Sequence, residues 1–381
     1  MQSPFTACLA AIAWLSAATV ARAQERVPQS IIDGVVDAVC QKQIVLLGEL
    51  GTHGEAQSHD AKSRIADRLI AQCGFTAVLF EAGLYDFIGM ERAVETGSAT
   101  PAQLDNAIGR FWWTRELTPW RRALFEAAAA KRLVVGGIDD QPSITSQYAK
   151  TVLPRLVAAA SSESTAAECG QAVSRRLNWT YDAANPFDDR ERLRLQQCAS
   201  KAAEAAPANR SLDAADRAML ENFARDTARE GSGDASARDE SMFRNLEWHL
   251  QRLPANSRVV IWTATVHAAR QRGALSFVPL GARVVERWGD RVASIGFTAY
   301  AGHSSMAGLP AKPIPDAPPD SLEATTTSGS PWALLDAGKL RAIGRVPSRL
   351  FGKFVSETWS DYFDAVVVIR QEVAPTFDPW K

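Results

Sequence analysis

Four ionisable side chains follow apolar runs of the sequence, at points where predicted strands end. They are two carboxylates and two imidazoles: Glu49, His53, Glu81 and His267. A histidine has the unperturbed pKa nearest to neutral pH, so it can accept a proton from water there. A neighbouring carboxylate fixes the tautomer of the imidazole and stabilises the imidazolium. These residue types therefore predict a hydrolase that activates water with a histidine base.

The same four side chains could instead bind a divalent metal ion, because histidines and carboxylates are its usual ligands. The spacing of these residues in the sequence does not decide between a water-activating site and a metal site. Glu49 and His53 are four residues apart, but the glycines around them indicate a loop, and the sequence lacks H-E-x-x-H. It also lacks the G-x-S-x-G elbow of serine hydrolases and the common glycine-rich nucleotide loops.

The elements that must position these residues are short runs of mostly apolar residues, predicted to be strands: 44–47, 77–80, 133–135, 258–262, 294–297 and 365–369. Continuous apolar runs are typical of strands buried on both faces, as in parallel sheets. Residues 61–73 have helical apolar spacing between the first two runs, which makes a βαβ unit. The sequence thus predicts an α/β fold with a mostly parallel central sheet and flanking helices.

Ligands of parallel α/β sheets bind beyond the carboxyl ends of the strands, so side chains at those ends are candidates for one polar cleft. The third run leads to Asp139 and Asp140, of which the latter could simply cap a helix, and the fifth run leads to His303. Three of the five histidines of the chain fall at such ends. The other two, His59 and His249, lie on predicted helices and are interpreted as surface or packing residues.

Two segments interrupt the alternation of strands and helices. Residues 151–239 are rich in Ala, Arg, Glu and Gln and poor in strand formers. We predict that they form a helical insertion or cap between two parts of the α/β core, 24–150 and 240–381. Residues 309–331 contain six prolines and a Thr/Ser tract, which predicts a mobile surface loop.

The amino-terminal residues have the pattern of a secretory signal peptide. An apolar stretch over residues 7–20 precedes Ala21-Arg22-Ala23, an A-x-A cleavage pattern, and polar residues follow at once. We expect residues 1–23 to be removed and the mature protein to be periplasmic or secreted.

Cysteine usage fits an oxidising compartment, because four cysteines follow the predicted signal peptide. Cys40 and Cys73 each precede a predicted strand, whereas Cys169 and Cys198 flank one polar helical region. We therefore predict the disulfides Cys40–Cys73 and Cys169–Cys198. No C-x-x-C motif supports zinc binding or thiol redox chemistry.

The charge balance excludes one class of partner. The 381 residues include 42 Lys and Arg against 43 Asp and Glu, a net charge of −1, whereas a nucleic-acid binder needs a basic surface. A hydrophobic fraction of 46% can fill a sizeable core. No internal apolar run reaches the roughly 20 residues of a membrane-spanning helix. We expect neither a nucleic-acid partner nor a membrane span in the mature chain.

Ordered motifs from roughly Ile44 to Ala374 resemble those of the erythromycin esterase family. The resemblance begins with Gly48-Glu49 and Thr52-His53-Gly54 and with a basic residue on the next helix, Lys62. The later matches are, in chain order, Gly74-Phe75 leading to Glu81, Phe111-Trp112-Trp113 with Glu116 and Trp120-Arg121, Gly137-Ile138-Asp139-Asp140-Gln141, Arg238-Asp239 with Met242 and Asn245, and Trp262 with His267.

The resemblance implies hydrolysis of a small-molecule ester or lactone, in family members the macrolactone of erythromycin, with no cofactor and no obligatory metal. It makes His53 the general base on water, with Glu49 and Glu81 orienting it or sharing protons. It implies that Lys62 and His267 stabilise charge or position the substrate. The residues that it implies for substrate binding are Lys62, Trp113, Glu116 and Asp139, and the position of His303 after the fifth run adds that residue to the predicted substrate-binding set.

Two positions depart from the family pattern. Three residues instead of two separate Glu49 from His53, and Ala264 and Thr265 stand where the family has His and Asn. The altered spacing favours a third hypothesis beside the metal-independent and metal-dependent hydrolases, namely a non-catalytic periplasmic binding protein that keeps the cleft.

Overall fold

A computed structural model of the chain describes residues 26–51 and 53–378. The predicted signal peptide, 1–23, and Thr52 of the first motif lie outside these residues. Within them the chain has an α/β fold with a mostly parallel central sheet, so the predicted fold class is confirmed.

In the described residues, ten strands form two sheets. They are β1 (Ile44–Leu47), β2 (Phe75–Gly83), β3 (Val134–Asp139), β4 (Arg258–Trp262), β5 (Val292–Ser304), β6 (Lys312–Ile314), β7 (Trp332–Asp336), β8 (Arg345–Ser348), β9 (Val355–Thr358) and β10 (Ala365–Glu372). The central sheet has the order β3-β2-β4-β1-β5-β10-β7, with β6 paired to β5, and β8 pairs with β9 separately. The six predicted strands are the parallel ones, whereas β6 and β7 run antiparallel to their neighbours.

Helices cover both faces of this sheet. They are α1 (Gln29–Val39), α2 (Ala56–Cys73), α3 (Leu84–Glu95), α4 (Pro101–Ile108), α5 (Thr118–Ala129), α6 (Tyr148–Ala160), α7 (Ala166–Asn178), α8 (Asp189–Ala205), α9 (Ala214–Arg229), α10 (Ala235–Arg252), α11 (Thr265–Ala268), α12 (Leu280–Trp288), α13 (Leu322–Thr326) and α14 (Ala337–Ile343). Short 3₁₀ turns lie at Arg110–Trp112, Ala206–Ala208, Gly289–Arg291 and Trp359–Asp361. Among the described helices, none is long and apolar enough to cross a membrane.

Alternate side chains of the central strands pack on opposite faces of the sheet. On β1, Val45 and Leu47 belong to the core cluster that includes α1 and α2. Ile44 and Leu46 belong to the cluster on the other face, with α10 and α12. Because both faces are covered, the strand is apolar at every position.

The segment between β3 and β4 contains helices α6 to α10. Helices α6 to α9 pack on α3 around a cluster of their own, in which Phe223 and Leu153 are fully buried. This helical insertion therefore has a separate small core beside the sheet.

The structure has both predicted disulfides. Cys40–Cys73 joins the carboxyl-terminal ends of α1 and α2. Cys169–Cys198 joins α7 to α8 within the helical insertion.

Residues 309–331 differ from the predicted loop, because they contain β6 and α13. Leu322 and Glu323 are fully buried, and the Glu323 carboxylate accepts hydrogen bonds from the hydroxyls of Thr298 and Ser348, both 2.6 Å away. The prolines of this segment indicate a loop. Proline is nevertheless tolerated in edge strands such as β6, so the prediction of a loop is wrong for this part of the segment.

Candidate active site

Strands β1, β2 and β3 end beside one cleft of about 400 Å³. This volume lies within the range of small-molecule sites. The polar part of the lining includes His53, Glu81, Asp139 and Arg238, and the apolar part includes Ile108, Phe111, Trp112 and Met306.

His53 is held in the cleft by a strained turn and by a carboxylate. Its φ is +52°, which is uncommon for a residue other than glycine, and its backbone N–H donates to the carbonyl of Leu50 at 3.0 Å. The Nδ1 atom lies 2.8 Å from Oε1 of Glu49. An ionised Glu49 accepts the Nδ1 hydrogen, so the neutral ring carries its lone pair on Nε2. That nitrogen lies 3.9 Å from Oε1 of Glu81.

Glu49 is fully buried and saturated with hydrogen-bond donors. Besides His53, its Oε1 accepts from Nε1 of Trp112 at 2.7 Å, and its Oε2 accepts from Nζ of Lys62 at 2.7 Å. Burial by itself raises the pKa of a carboxyl, but the Lys62 ammonium and the His53 hydrogen bond outweigh it and lower the pKa of Glu49 to about 2. Glu49 is therefore an anion at neutral pH.

Lys62 lies behind Glu49 and is completely buried, so it does not line the cleft. Its ammonium also donates to the carbonyl of Thr263 at 3.2 Å and lies 4.2 Å from the centroid of the Trp262 ring. Burial lowers the pKa of Lys62 to about 8, although Glu49 opposes this shift. His59, one of the histidines interpreted as surface or packing residues, is buried in the same layer with Nε2 3.5 Å from Glu49, and burial lowers its pKa to about 4.

Both carboxylate oxygens of Glu81 accept hydrogen bonds. Its Oε2 accepts from the hydroxyl of Thr263 at 2.7 Å and from the backbone N–H of Ala264 at 2.8 Å. Its Oε1 accepts from Arg238 at 3.0 Å and lies 3.3 Å from Nε2 of His267. Burial raises the pKa of this carboxyl, but the cationic neighbours, with His267 first, hold it well below its usual value. Glu81 thus anchors cations and is not a proton donor at neutral pH.

Two carboxylates, Glu81 and Asp239, favour the protonated ring of His267, and the Arg238 guanidinium lies 3.2 Å from its Nε2. The Nδ1 atom of His267 lies 2.9 Å from Oδ1 of Asp239, which also accepts from the backbone N–H of Leu280 at 2.6 Å. Burial lowers the pKa of an imidazole, but Glu81 and Asp239 outweigh it and raise the pKa of His267 to about 10.

Arg238, at the start of α10, is the cation that lines the cleft directly. Its Nε donates to Oδ2 of Asp139 at 3.1 Å, and its guanidinium also binds Glu81. Asp139 and Glu81 therefore fix the planar group between the ends of β2 and β3. Arg238 was not predicted as a site residue, although its Arg-Asp motif was part of the family resemblance.

Besides Lys62, three predicted substrate-binding residues do not line the cleft either. Trp113 is buried beside a different cavity, and the adjacent Trp112 is the aromatic residue that contacts Glu49. Glu116 accepts a hydrogen bond from the backbone N–H of Thr376 at 2.9 Å. His303 is exposed on β5 where that strand pairs with β6.

The donor set does not suit a divalent metal ion. The oxygens of Glu49 are bound by an ammonium and an indole N–H, and Glu81 is bound by a guanidinium. A second cation at either carboxylate would meet these groups at close range. Across residues 26–51 and 53–378, no group of three or more His, Cys, Asp or Glu side chains forms a candidate metal site.

Comparisons with known proteins agree with the sequence motifs. The family model described as "Erythromycin esterase" matches residues 70–372. Erythromycin esterase type II from Escherichia coli is 31% identical over 77 residues, which is 19% of this chain and 18% of that protein. The chain thus matches about a fifth of this relative's length.

Solved structures of the same fold cover nearly the whole chain. A protein from Bacillus cereus has a TM-score of 0.70 at 18% identity and covers 93% of this chain and 94% of its own. A succinoglycan biosynthesis protein has a TM-score of 0.69 at 15% identity, with 92% and 93% covered. An erythromycin esterase mutant in its open conformation has a TM-score of 0.63 at 17% identity, with 93% and 97% covered. At these identities the likeness concerns the fold alone.

Proposed function

The chain belongs to the erythromycin esterase family, whose members are hydrolases of small molecules, and we propose that it cleaves a carboxylic ester or macrolactone with water activated by His53. The observation that carries this proposal is the Glu49–His53 pair, with the His53 side chain in the lining of the cleft. Such a pair is a general base that is oriented by a buried anion.

In the proposed reaction, Nε2 of His53 accepts a proton from water while the water oxygen bonds to the ester carbonyl carbon. The carbonyl electron pair moves to its oxygen and gives a tetrahedral oxyanion. The Glu49 carboxylate stabilises the imidazolium that forms. Arg238 is a fixed positive charge on the cleft wall, where it supports stabilisation of the oxyanion.

Collapse of the oxyanion then breaks the bond between the acyl carbon and the alcohol oxygen. The imidazolium of His53 gives its proton to that oxygen, so the base returns to its neutral form. The products are a carboxylic acid and an alcohol, which remain in one opened chain when the substrate is a lactone.

We further propose that the protein works outside the cytoplasm, either in the periplasm or as a secreted protein. Two disulfides support this location, because such bonds persist in oxidising compartments. Cell fractionation with amino-terminal sequencing of the purified protein tests it, and a mature chain that begins after Ala23 is the expected result.

The reaction is tested by incubating purified protein with erythromycin, with other macrolactones and with a panel of simple esters. Mass spectrometry should find products that have gained one water. Addition of EDTA should leave the rate unchanged, whereas loss of activity with EDTA and recovery with a divalent cation would support the metal-dependent alternative.

The variant His53→Asn removes the proton acceptor while it keeps a polar group near Nδ1. Its kcat should fall by about 10²- to 10⁴-fold. The matched exchange His303→Asn changes an exposed imidazole outside the cleft and should leave kcat unchanged. Circular dichroism of both variants checks the fold, and near wild-type turnover by a folded His53→Asn protein would exclude this mechanism.

A further inference from the structure

A second cavity, of about 380 Å³, adjoins the catalytic cleft. The two share Gln141 and Arg238 in their linings, so they meet at these two side chains. The rest of the second cavity is lined mainly by charged side chains of the helical insertion and of the segment before α10, namely Arg176, Asp226, Arg229, Glu230 and Asp234.

The three arginines of this cavity are already paired with carboxylates. These pairs are Arg229 with Asp140 at 2.6 Å, Arg176 with Glu230 at 2.8 Å, and Arg238 with Asp139 and Glu81 at 3.1 and 3.0 Å. Each guanidinium contacts at least one carboxylate of the protein, and the lining holds three arginines against Asp226, Glu230 and Asp234. The second cavity as a whole therefore does not present a net positive charge to a ligand.

Two lining carboxylates have no such close ion pair among the described residues: Asp234, which is exposed and caps α10, and Asp226, which is half-buried. Of these two, Asp226 is the one that the protein shields from water. Its nearest cation, Arg229, is 3.6 Å away and is held by Asp140. The side chain is only 16% exposed. Burial, and then the neighbouring Asp140, raise the pKa of Asp226 to about 7. An incoming positive charge would relieve both effects.

An exposed aromatic residue stands next to the same cavity. Trp179 is 58% exposed and has a φ of +48°, a backbone conformation that is strained for a tryptophan. The guanidinium of Arg176, which lines the cavity, lies 5.2 Å from the Trp179 ring. Aromatic faces and carboxylates together are the groups that bind organic ammonium ions in proteins.

We propose that the second cavity binds a positively charged amine of the substrate, with Asp226 as its counter-ion, while the scissile ester lies beside His53. The inference rests on the proposed hydrolase function and narrows its substrates to esters or lactones that carry a basic amine. Asp226 is then a specificity-determining residue that takes no part in the chemical step.

The test uses butyrate esters of trimethylammonioalkanols with alkyl chains of increasing length. Each is paired with an uncharged ester in which carbon replaces the nitrogen. For wild-type protein at pH 8, the ratio of kcat/KM for the charged and uncharged esters should reach about tenfold at one chain length, since a charge-assisted contact contributes on that order.

The variant Asp226→Asn should bring that ratio close to one for every chain length. The matched control is Glu221→Gln, which removes the same charge from the same helix at a side chain that is 55% exposed. It should keep the wild-type ratio. A wild-type ratio near one at all lengths, or a preference that survives Asp226→Asn, overturns the inference.

If no ester is hydrolysed, the proposed function fails, but the amine site can still be judged. Isothermal titration calorimetry with the trimethylammonioalkanols alone should then detect binding to the wild type and to Glu221→Gln, and none to Asp226→Asn. Absence of binding to the wild-type protein, or equal binding to all three proteins, would reject the site.

Discussion

The Nδ1 atom of His53 lies 2.8 Å from the carboxylate of Glu49, although one more residue separates the two than in the family pattern. The left-handed conformation of His53 accompanies this longer turn. The altered spacing therefore leaves the hydrogen bond in place, and it no longer favours the hypothesis of a non-catalytic binding protein.

The first prediction concerns the charge of Glu49. Glu49→Gln removes the anion that orients Nδ1–H and that stabilises the imidazolium, so kcat should fall by about 10²- to 10⁴-fold with a small change in KM. Steady-state kinetics on any ester that the wild type hydrolyses measures both constants. A folded variant that keeps kcat within about twofold would show that His53 works without this carboxylate.

The second prediction separates two roles for Lys62, which the sequence analysis assigned to substrate and the structure places behind Glu49. Lys62→Met removes the buried cation, so the pKa of Glu49 should rise and the acid limb of the kcat/KM profile should move to higher pH. The variant leaves the Glu49 carboxylate buried without its counter-ion, so the free energy of unfolding should fall by about 3–5 kcal/mol.

Urea denaturation and a pH–rate profile measure these two effects. A substrate-binding role would give a different result, namely a higher KM with an unchanged free energy of unfolding and an unchanged acid limb. Lys62→Arg keeps the charge and is the matched control for the pH profile.

The sequence predicts the central part of the fold well, because strands buried on both faces are continuous apolar runs. The strands that it misses have other surroundings. β8 is partly exposed and pairs only with β9, and β7 lies at the edge of the sheet. β8 has no continuous apolar run, and the four apolar residues of β7 directly follow the proline-rich segment that was predicted as a loop.

For the candidate site, strand ends alone place Glu49, Glu81 and Asp139 near one another. His303 lies elsewhere because β5 continues to Ser304, well beyond the predicted run, and carries the histidine away from the cleft. The difference between Trp112 and Trp113 depends on the 3₁₀ turn that holds them, which adjacent aromatic residues in a sequence do not reveal.

The third prediction follows from the buried charge of His267. Its pKa is about 10 in the folded protein against 6.5 for a free side chain. The stability contributed by the protonated ring is therefore fully present below pH 6.5 and is lost as the pH rises through 10. His267→Gln should cost most stability at pH 6 and least above pH 10.

Urea denaturation of both proteins at pH 6, 8 and 10 checks this trend. The difference between wild type and variant is the relevant quantity, because the titration of other groups is common to both. A difference that stays constant over this range would mean that His267 is neutral in the folded protein.

The fourth prediction concerns Asp226, which faces charged groups of both signs: Asp139, Asp140, Arg176 and Arg229. Its pKa is about 7 in the folded protein against 3.8 for a free side chain. Stability attributable to the protonated carboxyl is present below pH 3.8 and is lost as the pH rises through 7. Asp226→Asn cannot ionise, so its Tm should exceed that of the wild type at pH 8, and the gain should shrink towards pH 4.

Thermal unfolding of wild type, Asp226→Asn and Glu221→Gln across this pH range measures the effect. The Glu221→Gln control removes an exposed charge and should show no such dependence. A stabilising Asp226→Asn exchange would mean that the native aspartate is kept at a cost to the fold, as is common for groups that bind ligands. Equal Tm values for wild type and Asp226→Asn at pH 8 would give the opposite result. They would show that other groups of the protein already balance the negative charge of Asp226, so a bound amine would not be needed to stabilise it.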